Sequence, residues 1–296
     1  MILQNPFRRE NYSDQRDLEL ISLTLNGDKK SLTELINRHQ KYIYNVALKM
    51  TNNVEDAQDI TQEILVKIVT ILAKYDSSKG KFRTWLYRIT FNHFLNLKKQ
   101  PYEKVMVSFD LFFNYIENTA VIDLNETEEK EMQLEIKESQ IGCMAGMLMC
   151  LDREQRLIYI LGEIFEIDHL IGSEIFEISP DNFRQKLSRA RKDLHQWMNH
   201  KCGLINKANP CRCPKKTKGF IANGWVTPGN LKWESNYIQR IKDLTGNKIE
   251  ETLLTVDELY AGLYRDHPFK VQPKADHIIS EIINNEYLKR TFNLDD

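Results

Sequence analysis

The sequence lacks the features of a secreted, membrane-spanning or hydrolytic metalloprotein. Its first 17 residues are polar and charged, so we expect no secretory signal. The longest nearly apolar run, residues 141–151, is too short for a transmembrane helix, which needs about 20 residues. No His-Glu-x-x-His motif, comparable carboxylate constellation or glycine-rich phosphate loop occurs. We therefore expect a cytoplasmic protein without membrane insertion that is not an enzyme.

Cysteine is scarce, with five residues in a chain of 296. An odd number of cysteines without an export signal indicates reduced thiols or metal ligands rather than a disulfide framework. The hydrophobic content of 42% is enough for a packed core. The length predicts two or three domains of moderate size.

The net charge is −1, but charge is distributed unevenly along the chain. Residues 79–104 carry seven basic side chains against one acid, and residues 117–138 carry eight acids against two lysines. Residues 181–201 have six bases and two acids, and residues 202–233 have six bases and no acid. Basic blocks on either side of an acidic one indicate two phosphate-facing surfaces joined by a solvated linker.

Helical periodicity dominates the first two-thirds of the chain and predicts an all-α fold. The first strong apolar stripe runs from Leu32 to Met50, followed by a polar turn at 51–54 that supplies a helix cap. A second stripe spans 57–72, a loop spans 75–81, and helix resumes over 82–99. Periodicity weakens over 101–138, where only the far end is predicted to be helical. It returns over 141–198, with breaks near 166–168 and at 179–180.

Three segments carry polar residues in patterns that indicate binding. On a helix, Asp56, Asp59 and Glu63 share one face that suits a basic or polar partner, although a solvated face has the same pattern. Residues 82–92 alternate aromatic and basic side chains, which suits unpaired bases and phosphates. Within them Trp85, Leu86 and Ile89 are predicted to pack inward, and Arg83, Arg88 and Asn92 to face the surface.

The third segment starts at Ser179-Pro180, a helix-start signal, and continues with a polar first turn and a basic body. Phe183, Leu187, Ala190 and Leu194 form its predicted buried stripe. A short helix, a turn and such a helix are typical of a helix-turn-helix, whose N-terminal residues read base edges while later bases hold phosphates.

In this order, the three segments resemble one family. Gly27-Asp28, Asp56-Ala57-Gln58-Asp59 with Gln62-Glu63, Phe82-Arg83-Thr84-Trp85-Leu86, Leu151-Asp152-Arg153-Glu154-Gln155-Arg156 and Ser188-Arg189-Ala190-Arg191 are similar to regions two and four of extracytoplasmic-function RNA polymerase sigma factors of the sigma-seventy superfamily. The resemblance covers residues 15–198. It implies region two at 15–100, an acidic linker at 101–138, region four at 139–198, and a partly irregular extension at 199–296.

The resemblance implies a transcription initiation factor whose partners are core RNA polymerase, promoter DNA and an anti-sigma factor. The helix face with Asp56, Asp59, Gln62 and Glu63 would bind core polymerase. The loop at 75–81 and the next helix would hold the melted minus-ten strand, the helix from Pro180 would read the minus-thirty-five element, and the linker would thread through polymerase. The residues assigned to DNA are Lys79, Lys81, Arg83, Arg88, Asn92, Asp181, Asn182, Arg184, Gln185, Lys186, Ser188, Arg189, Arg191 and Lys192.

The sequence departs from the family pattern in the helix-turn-helix and beyond it. Gly172 lies within the first helix, where glycine lowers helix propensity, and Glu177 occupies the turn position that is usually glycine. The extension at 199–296 is predicted to be irregular to 236, followed by helix-sized pieces such as 253–264 and 275–288. We hypothesise that it regulates the factor in cis. A stand-alone helix-turn-helix regulator is the alternative function.

The extension contains three cysteines within twelve residues, Cys202, Cys211 and Cys213. No cofactor is required by the resemblance, but these thiols, with His200 or His195, have the chemistry of structural zinc ligands. Base-rich free thiols and a redox pair involving Cys202 are the alternatives. Cys143 and Cys150 lie in an apolar, methionine-rich run and are predicted to fill the core.

Overall fold

The computed structural model describes residues 13–97, 108–231 and Ser280. Every regular element within these residues is helical, which confirms the all-α prediction. The predicted helices at 253–264 and 275–288 lie outside the described residues, apart from Ser280. No helix of the described part is long and apolar enough to cross a membrane. The helices are α1 (Asp14–Leu25), α2 (Lys29–Thr51), α3 (Val54–Thr70), α4 (Phe82–Asn96), α5 (Phe109–Asn118), α6 (Glu126–Glu131), α7 (Gln133–Met149), α8 (Arg153–Tyr159), α9 (His169–Phe176), α10 (Pro180–Lys201) and α11 (Cys213–Ala222).

Two compact units contain these helices. The described residues of the first unit are 13–97 and 165–184, with Ser280, and those of the second are 108–164 and 185–231. The first unit therefore combines α1 to α4 with α9 and the start of α10, and the second contains α5 to α8, the rest of α10 and α11.

The turn between α2 and α3 shows how local sequence sets the first unit. Asn52 ends α2 in the left-handed conformation, with φ 53°. Asn53 then caps α3, because its side chain accepts hydrogen bonds from the backbone N–H groups of Glu55 at 2.8 Å and Asp56 at 3.1 Å. The polar turn predicted at 51–54 is thereby confirmed. The two helices pack against each other and, with α4, form the core of the unit.

A buried polar group joins α1 to this core. Asp17 is fully buried and accepts a hydrogen bond from Arg38 Nε at 2.7 Å. His39 Nε2 lies 3.3 Å from the second carboxylate oxygen of Asp17. A buried carboxylate is tolerated only with such partners, so this group fixes the position of α1 on α2.

The described part of the second unit contains a helix, α5, that was not predicted from the sequence. Ser108 caps α5, and Phe112, Phe113 and Ile116 are buried at helical spacing. Phe109 and Phe113 stack on the ring of Trp197, with centroid distances of 5.8 and 5.6 Å. The prediction that residues 101–138 are helical only at their far end was therefore wrong for 109–118, because the apolar stripe there is short and adjoins an acidic run.

The boundary between α7 and α8 is a further break in the helix predicted over 141–198. Asp152 caps α8 and forms a capping box with Gln155. Arg156 is buried and donates hydrogen bonds to the carbonyl oxygens of Leu148 at 3.0 Å and Leu151 at 2.9 Å. The Leu148 carbonyl oxygen also accepts a hydrogen bond from the N–H of Leu151 at 3.2 Å. The guanidinium of Arg156 is a further donor to the last turn of α7 and to the residues after it, and it stabilises the end of that helix.

The C-terminal extension is more regular than predicted. Helix α10 continues to Lys201, and residues 202–212 form turns, but Cys213–Ala222 is a helix that begins with Pro214 in its first turn. Lys216, Thr217 and Phe220 of α11 are buried, and the helix packs on α7. The prediction that 199–236 is irregular was wrong for 213–222, where burial against α7 stabilises a helix with a high lysine content.

Candidate nucleic-acid interface

The predicted polymerase-facing residues lie on the outer side of α3. Asp59 and Glu63 are exposed, and Asp56 and Gln62 are half-buried. Partial burial, together with the charges of Asp59 and Glu55, raises the pKa of Asp56. Glu63 Oε2 lies 3.2 Å from Nε2 of His93 on α4. Burial lowers the pKa of His93, although the carboxylate of Glu63 acts to raise it. The face is therefore negatively charged and accessible to a basic partner.

Arg83 does not face the surface, and its assignment to the surface side of the DNA interface was wrong. Its side chain is only 9% exposed, and Nε lies 2.7 Å from Oδ1 of Asp14 at the start of α1. Its Nη2 donates a hydrogen bond to Asp14 Oδ2 at 3.0 Å. A guanidinium held by this ion pair and hydrogen bond joins α4 to α1 and is not available to phosphates.

The loop before α4 combines exposed lysines with a partly exposed aromatic cluster. Lys79 and Lys81 are exposed. The ring of Tyr75 lies 5.2 Å from that of Phe82 and 5.5 Å from that of Trp85. Trp85, predicted to pack inward, is half-buried and leaves part of its ring accessible beside the lysines. Such an arrangement can stack on an unpaired base while the lysines neutralise phosphates.

Arg88 contacts the helix-turn-helix within the first unit. Its guanidinium donates a hydrogen bond to the carbonyl oxygen of Glu174 at 2.9 Å and forms an ion pair with Glu177 at 3.2 Å. Phe91, one turn further along α4, packs on Phe176 of α9 with a centroid distance of 4.1 Å. In this conformation the guanidinium of Arg88 is occupied, so a nucleic-acid contact by Arg88 requires these bonds to break. The sequence gives no signal for contacts across 86 or 89 positions.

The turn between α9 and α10 has helix-turn-helix geometry despite the two departures noted above. Glu177 adopts the left-handed conformation, φ 53° and ψ 40°, that glycine usually occupies. A Cβ atom on Gly172 would lie 2.5 Å from the ring of Phe183, so the glycine allows α9 and α10 to approach closely. Ser179 caps α10, because its Oγ accepts a hydrogen bond from the N–H of Asn182 at 3.2 Å.

Helix α10 buries the predicted stripe and exposes most of the predicted DNA-facing residues. Phe183, Leu187, Ala190 and Leu194 are buried as predicted. Lys186 Nζ lies 3.0 Å from Glu154, and Arg191 pairs with the buried carboxylate of Glu163. These two side chains therefore also anchor α10 to α8 and to the π-helical segment Ile160–Ile164 that follows it. The exposed members of the predicted set are Asp181, Asn182, Arg184, Gln185, Ser188, Arg189 and Lys192.

The cysteines of the extension and Cys143 on α7 are half-buried free thiols. Cys202, Cys211 and Cys213 are each half-buried, and burial raises the pKa of Cys213 to about 12. Burial, followed by its interactions with those three thiols, raises the pKa of Cys143 on α7. Cys143 is half-buried on α7, so the prediction that it fills the core holds only in part. Backbone N–H groups of Leu204 and Ile205 donate to the Cys202 sulfur, which lowers its pKa against the effect of burial.

The zinc-site prediction receives no geometric support from these residues. Within 13–97 and 108–231, no three Cys, His, Asp or Glu side chains are grouped so that they could hold a metal ion. His200, the predicted fourth ligand, is exposed. The site formed by Cys202, Cys211, Cys213 and His200 therefore stays a prediction from sequence.

Comparisons with known proteins match this chain to sigma factors. Residues 35–100, which include most of α2 and all of α3 and α4, match the family model described as Sigma-70 region 2. The chain is 28% identical over 169 residues to the ECF RNA polymerase sigma factor SigM of Bacillus subtilis, covering 57% of this chain and 96% of that protein. It is 24% identical over 177 residues to the ECF RNA polymerase sigma factor SigW of the same species, covering 58% and 91%.

A third relative comes from another genus. The chain is 22% identical over 186 residues to the RNA polymerase sigma-H factor of Pseudomonas aeruginosa, covering 62% of this chain and 93% of that protein. The matched family model, these relatives and the helix-turn-helix ending in α10 agree with one another. The chain belongs to the extracytoplasmic-function sigma factors of the sigma-70 family.

Proposed function

We propose that this sigma factor binds core RNA polymerase through α3 and directs it to promoters. In this proposal α10 binds the promoter as double-stranded DNA, and α4 with the loop before it binds the melted strand. The proposal is supported mainly by the way α10 separates buried apolar side chains from exposed polar and basic ones. Its apolar stripe is buried, while the polar and basic residues of its first turns point outward from a capped start. Such a helix can enter the major groove with its N-terminal residues at the base edges.

The polymerase contact is assigned to the acidic face of α3. Asp59 and Glu63 are its most exposed carboxylates, so a basic surface of core polymerase can reach them without rearrangement of the bundle. We expect Asp59→Lys with Glu63→Lys to weaken binding to core polymerase by about tenfold or more, because each acidic partner becomes a like charge. Glu19→Lys, which reverses an exposed carboxylate on α1, is the matched control and should bind as the wild type does.

The promoter contacts are assigned to two surfaces. The exposed Lys79 and Lys81 and the accessible edge of Trp85 suit the melted minus-ten strand. Asn92 is half-buried on α4 and remains in this set, and Arg88 joins it once its contacts with Glu174 and Glu177 open. On α10, Asn182, Arg184 and Gln185 are assigned to base edges, and Arg189 and Lys192 to phosphates.

Two further proposals concern partners and metal. We propose an anti-sigma factor as a further partner, because a protein that covers the α3 face or α10 would prevent binding to polymerase or to DNA. Co-purification from the native host tests this. The zinc proposal is tested by metal analysis of the reduced, purified full chain. Close to one equivalent of zinc supports it, and less than about half an equivalent contradicts it.

The function as a whole is tested by binding and transcription with core polymerase. The full chain should form a stable complex with core enzyme and should start transcripts at discrete positions on genomic fragments from its host. A plain helix-turn-helix regulator would bind duplex DNA without joining core enzyme. Failure of the wild-type chain to bind core polymerase would reject the proposal.

A further inference from the structure

The start of the C-terminal extension contacts an acidic stretch that runs from the end of α5 to the first turn of α6. We use "acidic segment" for residues 117–128 and "clamp" for Lys201, Lys215, Lys216, Lys218 and Gly219. All of these residues belong to the second unit. The two sets are about 90 positions apart in sequence, so the contact between them is a tertiary contact.

The central contact is a buried lysine. Lys216 is 6% exposed, and its Nζ donates hydrogen bonds to the carbonyl oxygens of Glu117 at 3.0 Å and Thr119 at 2.5 Å. These carbonyl groups lie at the C-terminus of α5, where the helix dipole favours a cation. A lysine is rarely buried this far unless it has such partners.

The backbones also meet at this point. The N–H of Ile122 donates to the carbonyl oxygen of Lys215 at 2.8 Å. A Cβ atom on Gly219 would lie 2.6 Å from the carbonyl oxygen of Ala120 and 2.6 Å from the methyl carbon of Thr119. Since backbone atoms cannot move aside easily, only glycine permits this approach.

Charge pairing extends the contact over the whole acidic segment. Lys201 pairs with Glu117 at 2.6 Å, Lys215 with Asp123 at 2.6 Å, and Lys218 with Glu128 at 2.7 Å. The hydrogen bond from Lys218 is the main reason that the pKa of Glu128 is lowered. The clamp thus pairs three of the four carboxylates of the acidic segment.

We propose that the clamp and core RNA polymerase compete for the acidic segment, so that the extension keeps the free factor in a low-affinity state. The proposal rests on the proposed function and on the expectation, implied by the family resemblance, that the acidic linker threads through polymerase. A segment held by Lys216 and closed against Gly219 cannot also follow a polymerase channel. Apparent affinity for polymerase is then reduced by the fraction of molecules whose clamp is closed.

Two variants of the full chain open the clamp by different physical means. Lys216→Met removes the buried cation and its two hydrogen bonds. Gly219→Val leaves the charge unchanged and forces α11 away from the carbonyl group of Ala120. Lys207→Met is the matched control, because it removes an exposed lysine of the same extension without touching the acidic segment.

Opening is measured in the free protein by hydrogen exchange of the Ile122 amide, and competition is measured by titration with core polymerase. We expect each opening variant to speed exchange at Ile122 by about tenfold and to tighten polymerase binding by the same factor, while Lys207→Met matches the wild type in both. The equality of the two factors is the sharpest expectation, because one opening equilibrium sets both.

Three other outcomes overturn the inference, and they are distinguishable. Unchanged exchange at Ile122 in both opening variants means that the clamp does not hold the segment. Faster exchange with unchanged polymerase affinity means that the contact is only structural and does not compete with polymerase. If neither the wild type nor any variant binds core polymerase, the proposed function fails, and the competition fails with it.

Discussion

Replacing Gly172 with alanine should destabilise the protein, although alanine is the better helix former. In an open helix position the replacement gains about 1 kcal/mol. Here the new Cβ would lie 2.5 to 2.8 Å from three ring carbons of Phe183, a residue only 1% exposed. The ring must move by about 1 Å to restore normal contact distances, and overpacking of this kind costs about 1–3 kcal/mol. We expect a net loss of about 1 kcal/mol.

Gly142 on α7 offers the matched control. It is exposed, and a Cβ there would meet no atom within 4 Å. Gly142→Ala should therefore stabilise the protein by about 0.5–1 kcal/mol, opposite in sign to Gly172→Ala. Urea unfolding of the full chain followed by circular dichroism compares the two. If Gly172→Ala is as stabilising as Gly142→Ala, the close packing of α9 on Phe183 is refuted.

Two more predictions concern strain and burial. The Glu177→Gly variant should be more stable than Glu177→Ala by about 1 kcal/mol in urea unfolding. Both variants lose the ion pair with Arg88, but only glycine adopts φ 53° without strain. Equal stabilities of the two variants would contradict this. Burial lowers the pKa of Lys49 from 10.5 to about 8, so between those values the unfolded chain binds more protons and stability attributable to Lys49 rises with pH. Relative to Lys49→Met, the wild type should gain about 1 kcal/mol per pH unit from pH 8 to 10, and a constant difference would refute the assignment.

Local signals in the sequence predict much of the fold. The apolar positions from Leu32 to Met50 recur at helical spacing, and all of the predicted members are buried in α2. The turn at 51–54 and the start of α10 are fixed by Asn53 and Ser179, whose side chains cap the next helix without help from distant residues. Such features depend on neighbours within four positions, and a sequence displays them directly.

Long-range contacts account for what could not be predicted. Arg83 has the pattern of a surface base, but its partner Asp14 lies 69 positions earlier in the chain. Helix α11 is rich in lysine and forms because α7 and the acidic segment cover it. The guanidinium of Arg88 is bonded to residues of α9 and the turn after it, 86 and 89 positions later in the chain. In each case the deciding partner is remote, and periodicity carries no information about it.

Regions two and four also differ in how strongly the family resemblance constrains them. The matched family model covers 35–100, where the helices and caps follow the predicted pattern closely. In the helix-turn-helix, Glu177 and Gly172 depart from the pattern. Glu177 adopts the left-handed conformation in the turn, and Gly172 allows α9 to approach Phe183 closely. The domain boundaries at 100, 138 and 198 stay predictions.

Reconstituted transcription tests whether this chain directs core RNA polymerase to promoters. Core RNA polymerase from the host, the purified full chain and fragmented genomic DNA are combined, and the 5′ ends of the transcripts are mapped. We expect discrete start sites that depend on the added chain and weaken with the Asp59→Lys, Glu63→Lys variant but not with Glu19→Lys. Transcript ends identical to those made by core polymerase alone would contradict it.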